Sequence, residues 1–194
     1  MQKKELGRYA YEERMPAGLY HLLNDYDKDN NITPRIVQAL CRLIMADARD
    51  EEVYLCHFAV DHVCRIKGDG RHFCGYYNTQ MLISYIRGAK AEGYEKFAGH
   101  LPSVLHLQYM IERAWDIGIN EHGRVETGGI KGTRKHIGTQ EVSTVAHWRF
   151  EESMHMPEVG YQHFMNQSDN QAAIYVHLRD NKADADFAGP SDIP

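Results

Sequence analysis

Cys74 stands where a glycine-containing loop, R-I-K-G-D-G-R-H-F (65–73), meets a stretch with helical periodicity, C-G-Y-Y-N-T-Q-M-L-I-S-Y-I (74–86). A thiol at the start of a helix faces unpaired backbone N–H groups and the positive end of the helix dipole, and both favour the thiolate. The same N–H groups suit an oxyanion formed during acyl transfer. Position alone leaves two roles open, a nucleophile and a structural thiol.

Other clusters invite metal or phosphate chemistry and fit it poorly. Cys56, His57, His62 and Cys64 are close together, but zinc sites favour ligand pairs about two to four residues apart in two sets. The adjacent Cys56–His57 pair and the apolar F-A-V that follows suit a buried strand better. Asp25, Asp27, Asp29 and Asn31 alternate as in a calcium loop. The glycine and the closing glutamate that such a loop needs are replaced by Asn30 and Ile36. In G-G-I-K-G-T (128–133) the lysine precedes the last glycine, whereas a phosphate loop has it directly after. The segment reads as a tight turn, or as a backbone-lined groove that another chain can approach closely. No metal and no cofactor is expected.

These residues need elements to hold them. Residues 6–23 suggest a turn followed by a short amphipathic segment. Thr33 and Pro34 look like the cap and first position of a helix over 33–46, with Ile36, Leu40, Leu43 and Ile44 as its buried stripe. Residues 53–63 read as a short strand. Met81, Leu82, Tyr85, Ile86 and Ala89 mark the core face of the helix that starts at Cys74, and Gly88 and Gly93 flank its end. Another helix is expected over 102–117, loops and short strands over 118–138, a helix capped by Thr139 to about Trp148, and a strand over 172–178. Helices with a few short strands suggest an α+β fold.

The chain has 194 residues, with 22 basic and 27 acidic side chains for a net charge of −5. The acidity argues against a binder that works by neutralising nucleic-acid phosphates. No apolar run approaches the roughly 18 residues of a membrane span, and the N-terminus lacks the apolar core of a secretory signal. The four cysteines then read as reduced thiols, and a cytoplasmic or nuclear location is expected.

The string H-F-C-G-Y-Y-N-T-Q-M-L-I-S-Y-I (72–86) resembles the nucleophile segment of the ubiquitin-fold-modifier-specific cysteine proteases, and most nearly their zinc-finger ubiquitin peptidase branch. Four further strings are similar to that family: 6–16 (L-G-R-Y-A-Y-E-E-R-M-P), 53–63 (V-Y-L-C-H-F-A-V-D-H-V), 101–118, and 123–141, which ends in I-G-T-Q-E. The resemblance spans about residues 6–146. It implies a papain-like cysteine protease fold and a thiol peptidase that cuts after the C-terminal glycine of ubiquitin or a ubiquitin-like modifier, with Cys74 as nucleophile. Ubiquitin or a ubiquitin-like protein is then the partner, with no direct nucleic-acid or membrane binding. A diglycine tail must thread a narrow slot, for which Gly128 and Gly129 are candidates. The tail's arginines call for carboxylates, for which Asp116 and Glu141 are candidates. Tyr77 stands where the family usually has arginine.

Past residue 146 the resemblance fades. A thiol peptidase needs an imidazole base and a group to orient it, and the papain spacing of about 130–150 residues from Cys74 runs past Pro194. His177 is the best stand-in for the base, Asp192 for its orienting partner, and His57 or His62 for an upstream oxyanion donor. Residues 1–146 are therefore taken as the protease core. Residues 147–194 are taken as a divergent or truncated C-terminal segment with a frayed acidic tail. The zinc-finger modules typical of the branch have no counterpart, so the catalytic core alone is expected. Two alternatives are a pseudoprotease that keeps only modifier binding, and a domain whose site is completed by another chain.

Overall fold

The computed structural model describes residues 7–25, 31–47, 53–91 and 93–151. The elements run α1 (Ala17–Asp25), β1 (Ile32–Thr33), α2 (Ile36–Ala46), β2 (His62–Val63), α3 (Cys74–Gly88), a 3-10 turn (Tyr94–Phe97), α4 (Val104–Asp116), α5 (His122–Thr127) and α6 (Thr139–Glu151). The described residues are thus mostly helical, with one small sheet. β1 and β2 pair antiparallel, Ile32 opposite Val63 and Thr33 opposite His62. Asn31 extends the ribbon, accepting from the Cys64 N–H and donating its amide to the Cys64 carbonyl. Among the described residues, no helix is long and apolar enough to cross a membrane.

The main core lies between α3, α4 and α6, with Leu23 of α1 on its flank. Leu107, Ile111 and Ala114 of α4 are fully enclosed, one turn apart on a single helical face. Ser103 starts α4 by accepting from the His106 N–H at 3.1 Å, so an orphan donor of the first turn is satisfied. On α3 the enclosed side chains include Tyr76, Ile83 and Ile86, while Met81 and Leu82 are only half-buried.

Several expected elements form differently. α2 begins at Ile36, because Arg35 adopts a left-handed conformation (φ 58°) and Thr33 is taken into β1. Its buried side chains are Val37 and Cys41, which meet Leu55 in a second, smaller core. Ile36, Leu40 and Leu43 of the expected stripe are exposed, and Ile44 is half-buried. Residues 53–61 are irregular, and only His62–Val63 form strand. Residues 118–138 hold α5 and turns, with no strand. Thr139 is the first residue of α6 and not its cap; the Glu141 carboxylate reaches back to the Gly138 N–H at 2.8 Å, the return half of a capping box. The strand expected over 172–178 lies outside the described residues, as do residues 26–30 of the acidic loop and the segment from 152.

Candidate active site

The loop before α3 is wound tightly. Gly68, Gly70 and Arg71 all have positive φ (95°, 76° and 67°), a conformation natural for glycine and costly for Arg71. Asp69 sits among them and is almost fully buried. Its carboxylate accepts from the Arg71 N–H and the Tyr77 hydroxyl, both at 2.8 Å, and Arg65 lies 3.7 Å away. Burial, and then donation to Asp69, push the Tyr77 phenol well above its ordinary value of 10. The phenol keeps its proton, and the loop is tied to the first turn of α3.

That tie sets the direction of the next side chains. Phe73 is wholly enclosed, Cys74 is exposed, and Tyr76 is again enclosed. The thiol is therefore turned outward by the burial of its neighbours. Phe73 supplies no side-chain cap to α3, so the N–H groups of its first turn have no side-chain acceptor at that position. Gly75 lets the helix start dock against Ile137: a Cβ there would lie 2.7 Å from Ile137 Cγ1 and 2.9 Å from its carbonyl oxygen.

The glycine-rich loop is stapled from below by α4. Glu112 Oε1 accepts from the Ile130 and Lys131 N–H groups at 2.7 and 2.8 Å. Gln108, fully enclosed, accepts from the Gly132 N–H and donates to the Thr133 carbonyl, both at 2.9 Å. The Lys135 ammonium donates to the Thr127 and Gly129 carbonyls, both at 2.8 Å. Gly128 ends α5 in the left-handed conformation. Gly129 has φ 91° and packs against Glu112, and its carbonyl is engaged inside the loop.

The two carboxylates suggested for a basic tail are also in use. Asp116 is exposed and paired with Arg124 at 2.6 Å and Arg113 at 3.9 Å. Glu141 is buried, with Oε2 on the Gly138 N–H and Oε1 unpartnered among the described residues. His57 and His62 are not brought to Cys74. Ala59 packs on Gly88, the Asp61 N–H donates to Ser84 Oγ, and the Ile66 N–H donates to the Tyr77 hydroxyl. This segment thus runs backwards along α3, and His57 lies against Tyr85, a residue about 17 Å along the axis from the helix start at 1.5 Å per residue. Cys56 is exposed and Cys64 half-buried, so neither sits in a buried strand. His177 lies outside the described residues.

Sequence reasoning missed a group of side chains gathered around the same loop. The Tyr9 ring meets His72 edge-on at 4.6 Å, His72 stacks on His136 at 6.3 Å, and the Arg134 guanidinium lies 3.6 Å above Tyr9. Glu12 binds Arg134 through both carboxylate oxygens. Burial raises the Glu12 carboxyl, but the bonds and charge of Arg134 outweigh it and hold it below 4.5. Nothing in local spacing links residues 122 positions apart. The one signal in the sequence is that both strings, 6–16 and 123–141, resemble segments of the same protease family.

Two surface hollows lie elsewhere, and Cys74 lines neither. One of about 790 Å³ borders Ser84, Arg87 and Gly88 at the far end of α3; one of about 440 Å³ borders Asn120, Thr139 and Thr144.

Comparison with known proteins decides the lineage. The model of peptidase family C78 matches residues 49–183, well over half of the chain. The chain belongs to peptidase family C78. Two relatives of this C78 chain are named zinc finger-containing ubiquitin peptidase 1. The protein from Mus musculus is 31% identical over 120 residues, covering 61% of this chain and 21% of its own length. The protein from Homo sapiens is 30% identical over 139 residues, covering 66% of this chain and 24% of its own length. The C78 chain therefore spans between a fifth and a quarter of the curated relatives it matches.

Proposed function

We propose that this C78 chain is a papain-like cysteine peptidase that cleaves after the C-terminal glycine of ubiquitin or a ubiquitin-like modifier, with Cys74 as nucleophile. The observation that carries the reading is the exposed thiol on a helix start without a side-chain cap, fixed there by buried Phe73 and Asp69 and by the close packing of Gly75 on Ile137. The peptidase family and the names of its relatives support the substrate class.

The sulfur attacks the glycyl carbonyl, and the negative charge that develops on oxygen is met by first-turn N–H groups of α3. Collapse expels the amine, which takes up a proton, and leaves a thioester between the modifier and Cys74. Water then adds, the C–S bond breaks, and the modifier departs as a carboxylate. His177 remains our candidate for the base.

Ubiquitin carrying a C-terminal propargylamide tests this directly. A covalent adduct on the wild-type chain, lost in Cys74→Ala and kept in Cys56→Ala, is the expected result; Cys56 is also exposed and serves as the control. Binding without an adduct would instead favour the pseudoprotease. An adduct that survives Cys74→Ala would overturn the assignment of the nucleophile.

A further inference from the structure

We propose that the segment Gly7–Met15 is a strap that positions the nucleophile turn, acting on Cys74 through His72. The inference rests on Cys74 being the nucleophile. The strap is fastened at two points. The Met15 N–H donates to the Gly132 carbonyl at 2.8 Å, and Glu12 takes the backbone N–H and the guanidinium of Arg134 together. Arg134 in turn presses on Tyr9, and Tyr9 on the His72 imidazole. Gly70 closes another side, because a Cβ there would lie 3.0 Å from the His72 ring. His136 stacks on the remaining face, itself backed by Gly7. His72 is thus boxed by three pieces of chain, and Cys74 follows it after one enclosed residue.

Its charged surroundings give the box a pH dependence. His72 feels Arg8, Tyr9 and Glu12 from the strap, Arg134 and His136 from the run before α6, and Asp69 from its own loop. Burial, then Arg134, His136 and Arg8, hold the imidazole below 6.5, with Asp69 opposing. Near neutrality the ring is uncharged and fits among cations. Protonation adds a like charge inside the box and loosens the turn.

The test uses the whole chain and its Arg134→Gln and Arg134→Lys variants. His72 titration is followed by NMR with labelled histidine. Iodoacetamide alkylation of Cys74 is measured peptide by peptide, with Cys56 as internal reference. Alkylation needs no peptidase activity, so it still reads the strap if the wild-type chain fails to hydrolyse ubiquitin. In Arg134→Gln, His72 should titrate at higher pH, and the Cys74-to-Cys56 rate ratio should change by about threefold. Hydrolysis of a ubiquitin coumarin amide should lose about tenfold in kcat at unchanged KM. Arg134→Lys, which keeps the cation, should return the His72 titration toward wild type. An unmoved titration with an unchanged alkylation ratio sinks the proposal. So does a parallel loss of kcat, KM and melting temperature, which marks a merely structural role. If Arg134→Gln does not fold, Tyr9→Leu keeps the ion pair and must itself shift the ratio; a wild-type ratio there also overturns the strap.

Discussion

Helices α2 and α4 are both rich in apolar side chains, and they bury them in contrasting ways. α4 encloses Leu107, Met110, Ile111, Ala114 and Trp115 in the main core. It also turns Gln108 and Glu112, one turn apart, toward the glycine-rich loop. α2 buries only Val37 and Cys41 and exposes Ile36, Leu40, Leu43 and Met45. The difference teaches that apolar content does not fix burial. On α4 the polar staples and the core share a helix, so the element that stabilises the fold also fixes the loop beside the candidate nucleophile. On α2, apolar residues lie on more than one face, and the short run of Val53, Leu55 and Phe58 selects which one is covered among the described residues.

The sharpest way to break this contrast is Leu107→Ala. It should cost about 3 kcal/mol, as expected for a cavity in a close-packed core, and urea unfolding measures it. A loss below about 1 kcal/mol would mean that the α4 core relaxes easily. Next in size is Ser103→Ala, which removes the cap of α4 and should cost about 1 kcal/mol by the same measurement. α2 has no side-chain cap at Arg35, so Arg35→Ala gives the matched comparison.

Acidification tests the polar side of the contrast. His72 is held below its ordinary value, so the unfolded chain takes up a proton before the folded one. Stability should therefore fall as pH drops from about 6.5 through the folded value. Glu12 is also held low and adds a second loss as pH falls below about 4.5 through its folded value. Melting curves in Arg134→Gln should be flatter across both windows; equal slopes would mean that Arg134 does not govern these groups. The smallest effect belongs to α2. Leu43→Ser should change stability by no more than about 0.5 kcal/mol, and a loss comparable to Leu107→Ala would show that this face is covered in solution.

The legibility of the sequence follows the same divide. Cys74 could be placed at a helix start because two local signals coincide, glycines with left-handed freedom and the onset of helical periodicity. α4 was legible as a helix over 102–117, close to its Val104–Asp116 bounds, from Pro102 near its start and a helical rhythm that ends at Ala114 and Trp115. α2 was misread at its start because Arg35 takes a conformation that residue type does not announce, and β1 claims Thr33. The strap was illegible because Glu12 and Arg134 act through space, not through spacing. Asp116 and Glu141 were chosen for their charge alone. The fold pairs one with Arg124 and spends half of the other on a backbone N–H.

Lys135 is buried. Its amine is inside the protein, held by two carbonyls of the glycine-rich loop, so acetic anhydride and trypsin should reach it only when that loop opens. Slow acetylation at this single position would then act as a clock for opening beside the candidate active site, read in hours by mass spectrometry while the surface amines react at once.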